Sequence, residues 1–180
     1  MKDPVSHLEV SVQPFDSPDA ARLVAAAETE LQKRYGPGPH DYLPVDGAHP
    51  EDPGDRLHRP LTAAEFAPPG GTFLVARLDG VAVGCAGLRP VGEDRAEVKR
   101  LYVLDDYRGR GIARRLMDEL ESAAPGLGHR HLVLETGGLQ PEAIALYDSS
   151  GWARIPPYFG VARHERSVYF EKWLDRAGAG

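Results

Sequence analysis

The residues with the clearest chemical potential are Arg108-Gly109-Arg110-Gly111, at the join between a strand-like run and a helix-like run. A helix start leaves several backbone N–H groups without partners, and the helix dipole adds partial positive charge there. Glycines let a ligand approach that backbone closely. Residue types and spacing therefore predict a cradle for a pyrophosphate or similar anion. The same glycines would also serve an ordinary tight turn between a strand and a helix. A P-loop is excluded, because it requires Gly-Lys-Ser/Thr and Gly111 is followed by Ile112-Ala113. Cys85 is the only cysteine, so there is no intrachain disulfide and no cysteine-based zinc site. It lies in an apolar run and reads as a small buried side chain. His40, His49 and His58 are spaced evenly along a loop, which is no metal-ligand pattern, and no metal is expected. His129 and His131 flank a strand start and are expected to be exposed.

The elements that position the cradle can be followed along the chain. Residues Leu8 to Val12 alternate and read as a first strand. Ser17-Pro18-Asp19 is a helix start, with a capping serine and proline at the first helical position. Leu23, Ala27, Leu31 and Tyr35 then form one apolar stripe, stopped by Gly36-Pro37-Gly38-Pro39. Residues 36–60 are rich in proline and glycine and read as a long loop. Leu61 to Phe66 reads as a short helix. Thr72 to Arg77 and Val81 to Leu88 flank a hairpin signal, Leu78-Asp79-Gly80. Arg95 to Leu104 is a fourth strand, Gly109 to Ala124 a helix, and His131 to Thr136 a fifth strand. Pro141 to Ser150 is a helix, and Trp152 to Ile155 and Ser167 to Trp173 are closing strands. The order β-α-(loop/α)-β-β-β-α-β-α-β-β implies an α/β (α+β) domain over residues 8–174, a mixed sheet with helices packed on it. Residues 1–7 and 175–180 read as flexible tails.

Composition narrows the function classes. Hydrophobic residues make up 42% and charged residues 27% of the 180, enough for a folded core. The net charge of −6 disfavours nucleic acid, which needs a clustered basic surface. The basic cluster from Lys99 to Arg115 is local and suits one small anionic ligand. No apolar run approaches the roughly 20 residues of a membrane span, and no apolar signal core follows Met1. A cytoplasmic protein with no membrane partner is the expectation.

Two motifs in order carry a resemblance. Arg108-Gly109-Arg110-Gly111-Ile112-Ala113 fits Arg/Gln-x-x-Gly-x-Gly/Ala after a strand. About 35 residues on, Ala143-Ile144-Ala145-Leu146-Tyr147-Asp148-Ser149-Ser150-Gly151-Trp152 fits Ala-x-x-Leu-Tyr-x-x-x-Gly-aromatic. The chain thus resembles the GNAT superfamily of acyl-CoA-dependent N-acetyltransferases, and Leu134-Glu135-Thr136-Gly137 with Gln140-Pro141-Glu142-Ala143-Ile144 is similar to a bacterial subgroup. Many members carry Asn seven residues before the tyrosine, where this chain has Gln140.

The resemblance implies a mostly antiparallel sheet of six or seven strands with helices on both faces. It implies acetyl-CoA as cosubstrate and a small-molecule or peptide amine as acceptor, with a homodimer among the expected assemblies. Backbone groups of Leu101, Tyr102 and Val103 would hold the pantetheine arm like an added strand. Arg108, Gly109, Arg110, Gly111, Ile112, Ala113 and Arg114 would hold the phosphates, and Gln140 and Ala143 are further cofactor contacts. Tyr147 is the implied proton donor to the leaving thiolate. Glu97 is the implied general base; strict alternation would place it on one face with Lys99, Leu101 and Val103. A salt bridge between Glu97 and Lys99 is its structural alternative, and Glu135 competes as base or amine anchor. The acceptor would be chosen by residues 34–60 and 156–166, where Tyr42, Tyr158 and Phe159 could line a pocket or anchor a loop. The first of these segments carries Asp41, Asp46, Glu51, Asp52 and Asp55 against Arg56 and Arg59, a bias suited to a cationic amine. A non-catalytic acyl-CoA-binding module, and transfer with another donor or acceptor, stay open as alternatives.

Overall fold

The computed structural model describes residues 7–36, 61–158 and 166–174. The expected long loop after Gly36, the chain ends, and Tyr42, Phe159, His40, His49 and His58 lie outside the described residues.

Alternating side chains in Leu8–Val12 make β1, and Pro18 opens helix α1 (Pro18–Tyr35). Ser17 holds the N-cap position with extended backbone, but its buried hydroxyl makes no cap bond. The expected capping serine therefore positions the chain without satisfying a helix amide. Thr62 and Glu65 instead cap a 3₁₀ turn at Ala63–Phe66, where the Thr62 amide donates to Glu65 Oε2 at 2.8 Å. β2 (Thr72–Leu78) and β3 (Val81–Pro90) are joined by Asp79 and Gly80, at φ 51° and 84°. Positive φ at both turn residues is what a two-residue hairpin loop needs, and Asp-Gly supplies it cheaply. β4 (Arg95–Val103), α2 (Ile112–Ala123), β5 (His131–Gly137), α3 (Pro141–Asp148), β6 (Ala153–Ile155) and β7 (Ser167–Trp173) complete the order.

The strands form one seven-stranded sheet in the order β1-β2-β3-β4-β5-β7-β6. Every pairing is antiparallel except β4 with β5. Helix α1 buries Ala20 and Leu23 with Phe73, Val75 and Cys85 on one face. Helices α2 and α3 bury Leu116, Leu120 and Tyr147 with Leu88, Leu132 and Phe170 on the other. Burying a leucine or phenylalanine side chain stabilises by about 1.5–3 kcal/mol relative to leaving it exposed, so helices on both faces hold the sheet between two cores. His129 departs from expectation. It is 3% exposed, with Nε2 2.7 Å from the Gly70 carbonyl, because the turn before β2 folds over it.

Candidate active site

The cradle is built by two left-handed glycines, Gly109 at φ 72° and Gly111 at φ 77°. Any other residue would be strained there. Among the described residues, no backbone N–H from Gly109 to Arg114 has a hydrogen-bond partner; the first amide bonded in this stretch is Arg115, to the Gly111 carbonyl. A Cβ on Gly109 or Gly111 would meet nothing within 4 Å, so the space over these amides is open. Unpaired donors at the positive end of a helix, beneath open space, fit a diphosphate. The side chains flanking them divide. Arg110 is exposed, its guanidinium 5.6 Å from the centre of the Tyr107 ring. Arg114 donates to the Ser149 and Ser150 hydroxyls at 2.9 Å each, tying α2 to the end of α3. Arg108 turns inward: its Nε donates to the Val103 carbonyl at 3.0 Å and its guanidinium pairs with Glu30 of α1.

Beside the cradle the sheet opens. β4 pairs with β5 only from Arg95 to Glu97, opposite His131 to Val133. Beyond that the two strands have no register, and the β4 edge runs on unpaired by β5 toward the cradle. The Leu104 amide donates to Val83 of β3. Backbone direction alternates along a strand, so Leu101 and Val103 turn their polar groups to the β5 side. The Val103 carbonyl there is held by Arg108, which leaves its N–H as the donor on that edge.

A bulge corrects the expected face of Glu97. Lys99 pairs with Gly87 and Tyr102 with Cys85, so β4 spends one residue more than β3, at Arg100-Leu101. Arg100 takes φ 59° to make it. The bulge reverses the alternation. Glu97 and Lys99 share the α1 face with Tyr102, whereas Leu101 and Val103 pack into the opposite core.

Glu97 is fully buried and heavily bonded. Arg89 reaches its Oε2 through Nε at 2.8 Å and through the second terminal nitrogen at 2.6 Å. Lys99 Nζ is 3.2 Å from Oε1, and the Tyr158 hydroxyl donates to the same oxygen. Arg89 also pairs with Glu65 at 2.7 Å. Burial alone would lower the Arg89 pKa, but the Glu97 and Glu65 carboxylates outweigh it and raise that pKa. Arg89 and Glu65 were not signalled by any motif; the one sign was an arginine ending an otherwise apolar strand. Glu135 lies on the same sheet face, opposite Tyr169 in register, half-buried and accepting from Ser167 Oγ at 2.6 Å. Tyr158 packs edge-on against Tyr169, ring centres 5.6 Å apart. The structure thus brings Glu97, Lys99, Glu135 and Tyr158 to one side of the opening.

Tyr147 belongs to the other side. Ala143 and Ile144 lie on its face of α3, and its ring packs against Phe170 and Trp152 at 5.3 and 6.0 Å. Burial raises its hydroxyl pKa, so the group stays protonated at neutral pH. Gln140 is the residue before α3, its carbonyl accepting from Ala143 and Ile144 at 3.1 Å. Cys85 is buried, its Sγ 3.4 Å from the Arg100 carbonyl. Among the described residues, no cluster of three or more His, Cys, Asp or Glu could hold a metal ion, and no helix is long and apolar enough to cross a membrane.

The sheet opens beside an amide-rich helix start, a place for an extended anionic ligand, and comparison with known proteins gives the class and the family. The acetyltransferase (GNAT) family model matches residues 39–152, and the chain belongs to that family. One relative, the "IAA acetyltransferase" of Azospirillum brasilense, is 39% identical over 115 residues, 63% of this chain and 75% of that protein. The chain spans less of two further curated relatives, 64% and 61% of their lengths. Two solved structures share the fold. A Klebsiella pneumoniae protein provisionally classed as an acyl-CoA N-acyltransferase has TM-score 0.70 and 24% identity, over 93% of this chain and 98% of that one. A GNAT family acetyltransferase from Elizabethkingia anophelis, solved with acetyl-CoA bound, has TM-score 0.57 and 16% identity, over 93% and 98%.

Proposed function

We propose that the protein moves the acetyl group of acetyl-CoA to a primary amine of a small molecule or peptide, by direct attack in a ternary complex. The observation that carries this reading is the row of unpartnered amides from Gly109 to Arg114, continuous with the free β4 edge. The amides suit the diphosphate, and the Leu101 and Val103 backbone suits the amide-bearing arm as an added strand. The bound thioester supplies an activated acyl group. On this reading the Val103 N–H, on the β5 side of β4, polarises its carbonyl. Arg108 acts here as a brace for the loop and Arg114 as a tie to α3, with the backbone amides and exposed Arg110 left to meet the phosphates.

Tyr147 is the donor to the leaving thiolate. A phenol has a reference pKa of about 10, against about 8.5 for a cysteine-like thiol. Burial raises the phenol further, so complete proton transfer is uphill. A hydrogen bond to the developing thiolate is the form its assistance takes.

For proton removal, Glu97 and Glu135 remain the two candidates. The Glu97 oxygens already accept from Arg89, Lys99 and Tyr158, and the side chain is enclosed. A base role there works through a donor that yields its place, Tyr158 or a bridging water. Half-buried Glu135, which accepts from Ser167, is the alternative as anchor or base. Glu135 on the acceptor side favours a cationic amine, since the Glu97 charge is already met by Arg89 and Lys99. Glu97→Gln and Glu135→Gln are separated by their pH–rate profiles; the true base is the one whose replacement removes the acidic limb.

The test of the whole reading is thiol release from acetyl-CoA against a panel of amines, amino acids and peptides. Release with at least one acceptor is expected. Tight acetyl-CoA binding with no release for any acceptor would point instead to a cofactor-binding module.

A further inference from the structure

Past Glu97 the two lips of the β4–β5 opening share no strand pairing; Arg114 ties α2 to the end of α3, and on the other sheet face one helix holds both lips. On the β4 lip, Arg108 pairs with Glu30 of α1 while its Nε holds the Val103 carbonyl at 3.0 Å. One turn later, Arg34 reaches back to Glu30 at 2.6 Å. Arg34 then crosses to the β5 lip, pairing with Glu142 at the start of α3 and donating to the Leu139 carbonyl at 3.0 Å. Next to it, the Tyr35 hydroxyl accepts from the Leu139 amide at 3.0 Å. The contact needs glycine at 137, since a Cβ there would lie 1.9 Å from the Tyr35 hydroxyl oxygen.

We propose that the last turns of α1 form a strut that sets the width of the opening, with Glu30 and Arg34 as positioning residues for the coenzyme arm. Its catalytic consequence rests on the cosubstrate reading above. The alternation Arg108–Glu30–Arg34–Glu142 gives every charge an opposite neighbour, so the strut carries no net charge into the mouth of the site. The ionisation of its members is consistent with this. Burial opposes it at Glu30, but Arg108 and Arg34 together hold that carboxyl below the usual range. Arg34 is raised mainly by its hydrogen bond to Glu142. Arg108 has a second, exposed partner in Asp105 at 3.1 Å, whereas Glu30 and Arg34 each join two members of the row, so a loss at either is felt along it.

Glu30→Gln in the full chain tests the strut. Two results are expected. The KM for acetyl-CoA and the Kd for CoA by calorimetry rise about three- to tenfold, with kcat and the acceptor KM within about twofold. Amide exchange at Leu139, on the far lip from Arg108, becomes faster. A folded Glu30→Gln protein with unchanged CoA affinity and unchanged Leu139 exchange overturns the proposal. Glu142→Gln removes only the half-exposed outer rung and keeps the question open to test should the first variant not fold; a smaller rise in KM for acetyl-CoA is expected, and no change in it or in Leu139 exchange counts against the strut. Wild-type protein that fails to bind CoA would sink the cosubstrate reading instead, while Leu139 exchange in Glu30→Gln still decides whether α1 joins the lips.

Discussion

Tyr147 and Arg89 show how differently two buried polar side chains act. The Tyr147 ring fills a core between Phe170 and Trp152, and no described residue bonds its hydroxyl. Tyr147→Phe should therefore leave stability within about 1 kcal/mol, since no protein hydrogen bond is lost. If the hydroxyl assists the leaving thiolate, kcat falls about 10- to 100-fold, within the range of single proton-transfer groups. Steady-state rates across pH check this, and an unchanged kcat removes the role. Arg89 is the reverse case. Its guanidinium stands between two carboxylates, Glu65 and fully enclosed Glu97. Arg89→Met leaves them without their shared cation and should cost about 3–5 kcal/mol in denaturant unfolding. The double variant Arg89→Met with Glu97→Gln should recover part of that loss, because the uncompensated charge has gone with its partner.

At the scale of elements, the β4 bulge and the glycine turn after it decide what faces the opening. Gly111→Ala meets no steric neighbour but must hold φ 77°. It should lose about 1–2 kcal/mol of stability and weaken CoA binding as the amide row tilts; unfolding and calorimetry on one preparation separate the two effects. Much of this level was legible in the amino acids. Asp79-Gly80 named the hairpin, and Pro18 and Pro141 marked the starts of α1 and α3. The bulge was not legible. It is made by arginine at a positive φ, with no glycine or asparagine to announce it. One extra residue reverses a two-residue alternation, so Glu97 parted from Leu101 and Val103 for a reason that period counting cannot see. The Arg108 side chain was hidden for another reason. Its direction is set by Glu30, which lies 78 residues away along the chain, and a local motif says nothing of such a partner.

For the molecule as a whole, charge couples parts that the sheet leaves separate. Both carboxyls of the strut, Glu30 and Glu142, lie below their ordinary value of 4.5 once folded. Burial opposes the shift in each, and arginine partners overcome it. A carboxyl lowered on folding contributes stability that is complete above its unfolded pKa and is lost as pH falls through the folded one. Melting temperature should thus be level near neutrality and decline below about pH 4.5, less steeply in Glu30→Gln. Because its rungs are partly open to solvent, salt should also weaken the strut more than the apolar cores.

Cys85 reports on the molecule at the same scale. It is the only cysteine in the chain, fully enclosed under α1, and burial pushes its thiol up to about 12. A chromogenic disulfide added to the folded protein therefore finds no thiolate to attack it. Two measurements become clean as a result. Colour formed during turnover counts free coenzyme alone, with no background from the enzyme. In protein without substrate, slow colour formation times the opening of the α1 core, so one residue with no part in the chemistry serves as an internal clock for folding.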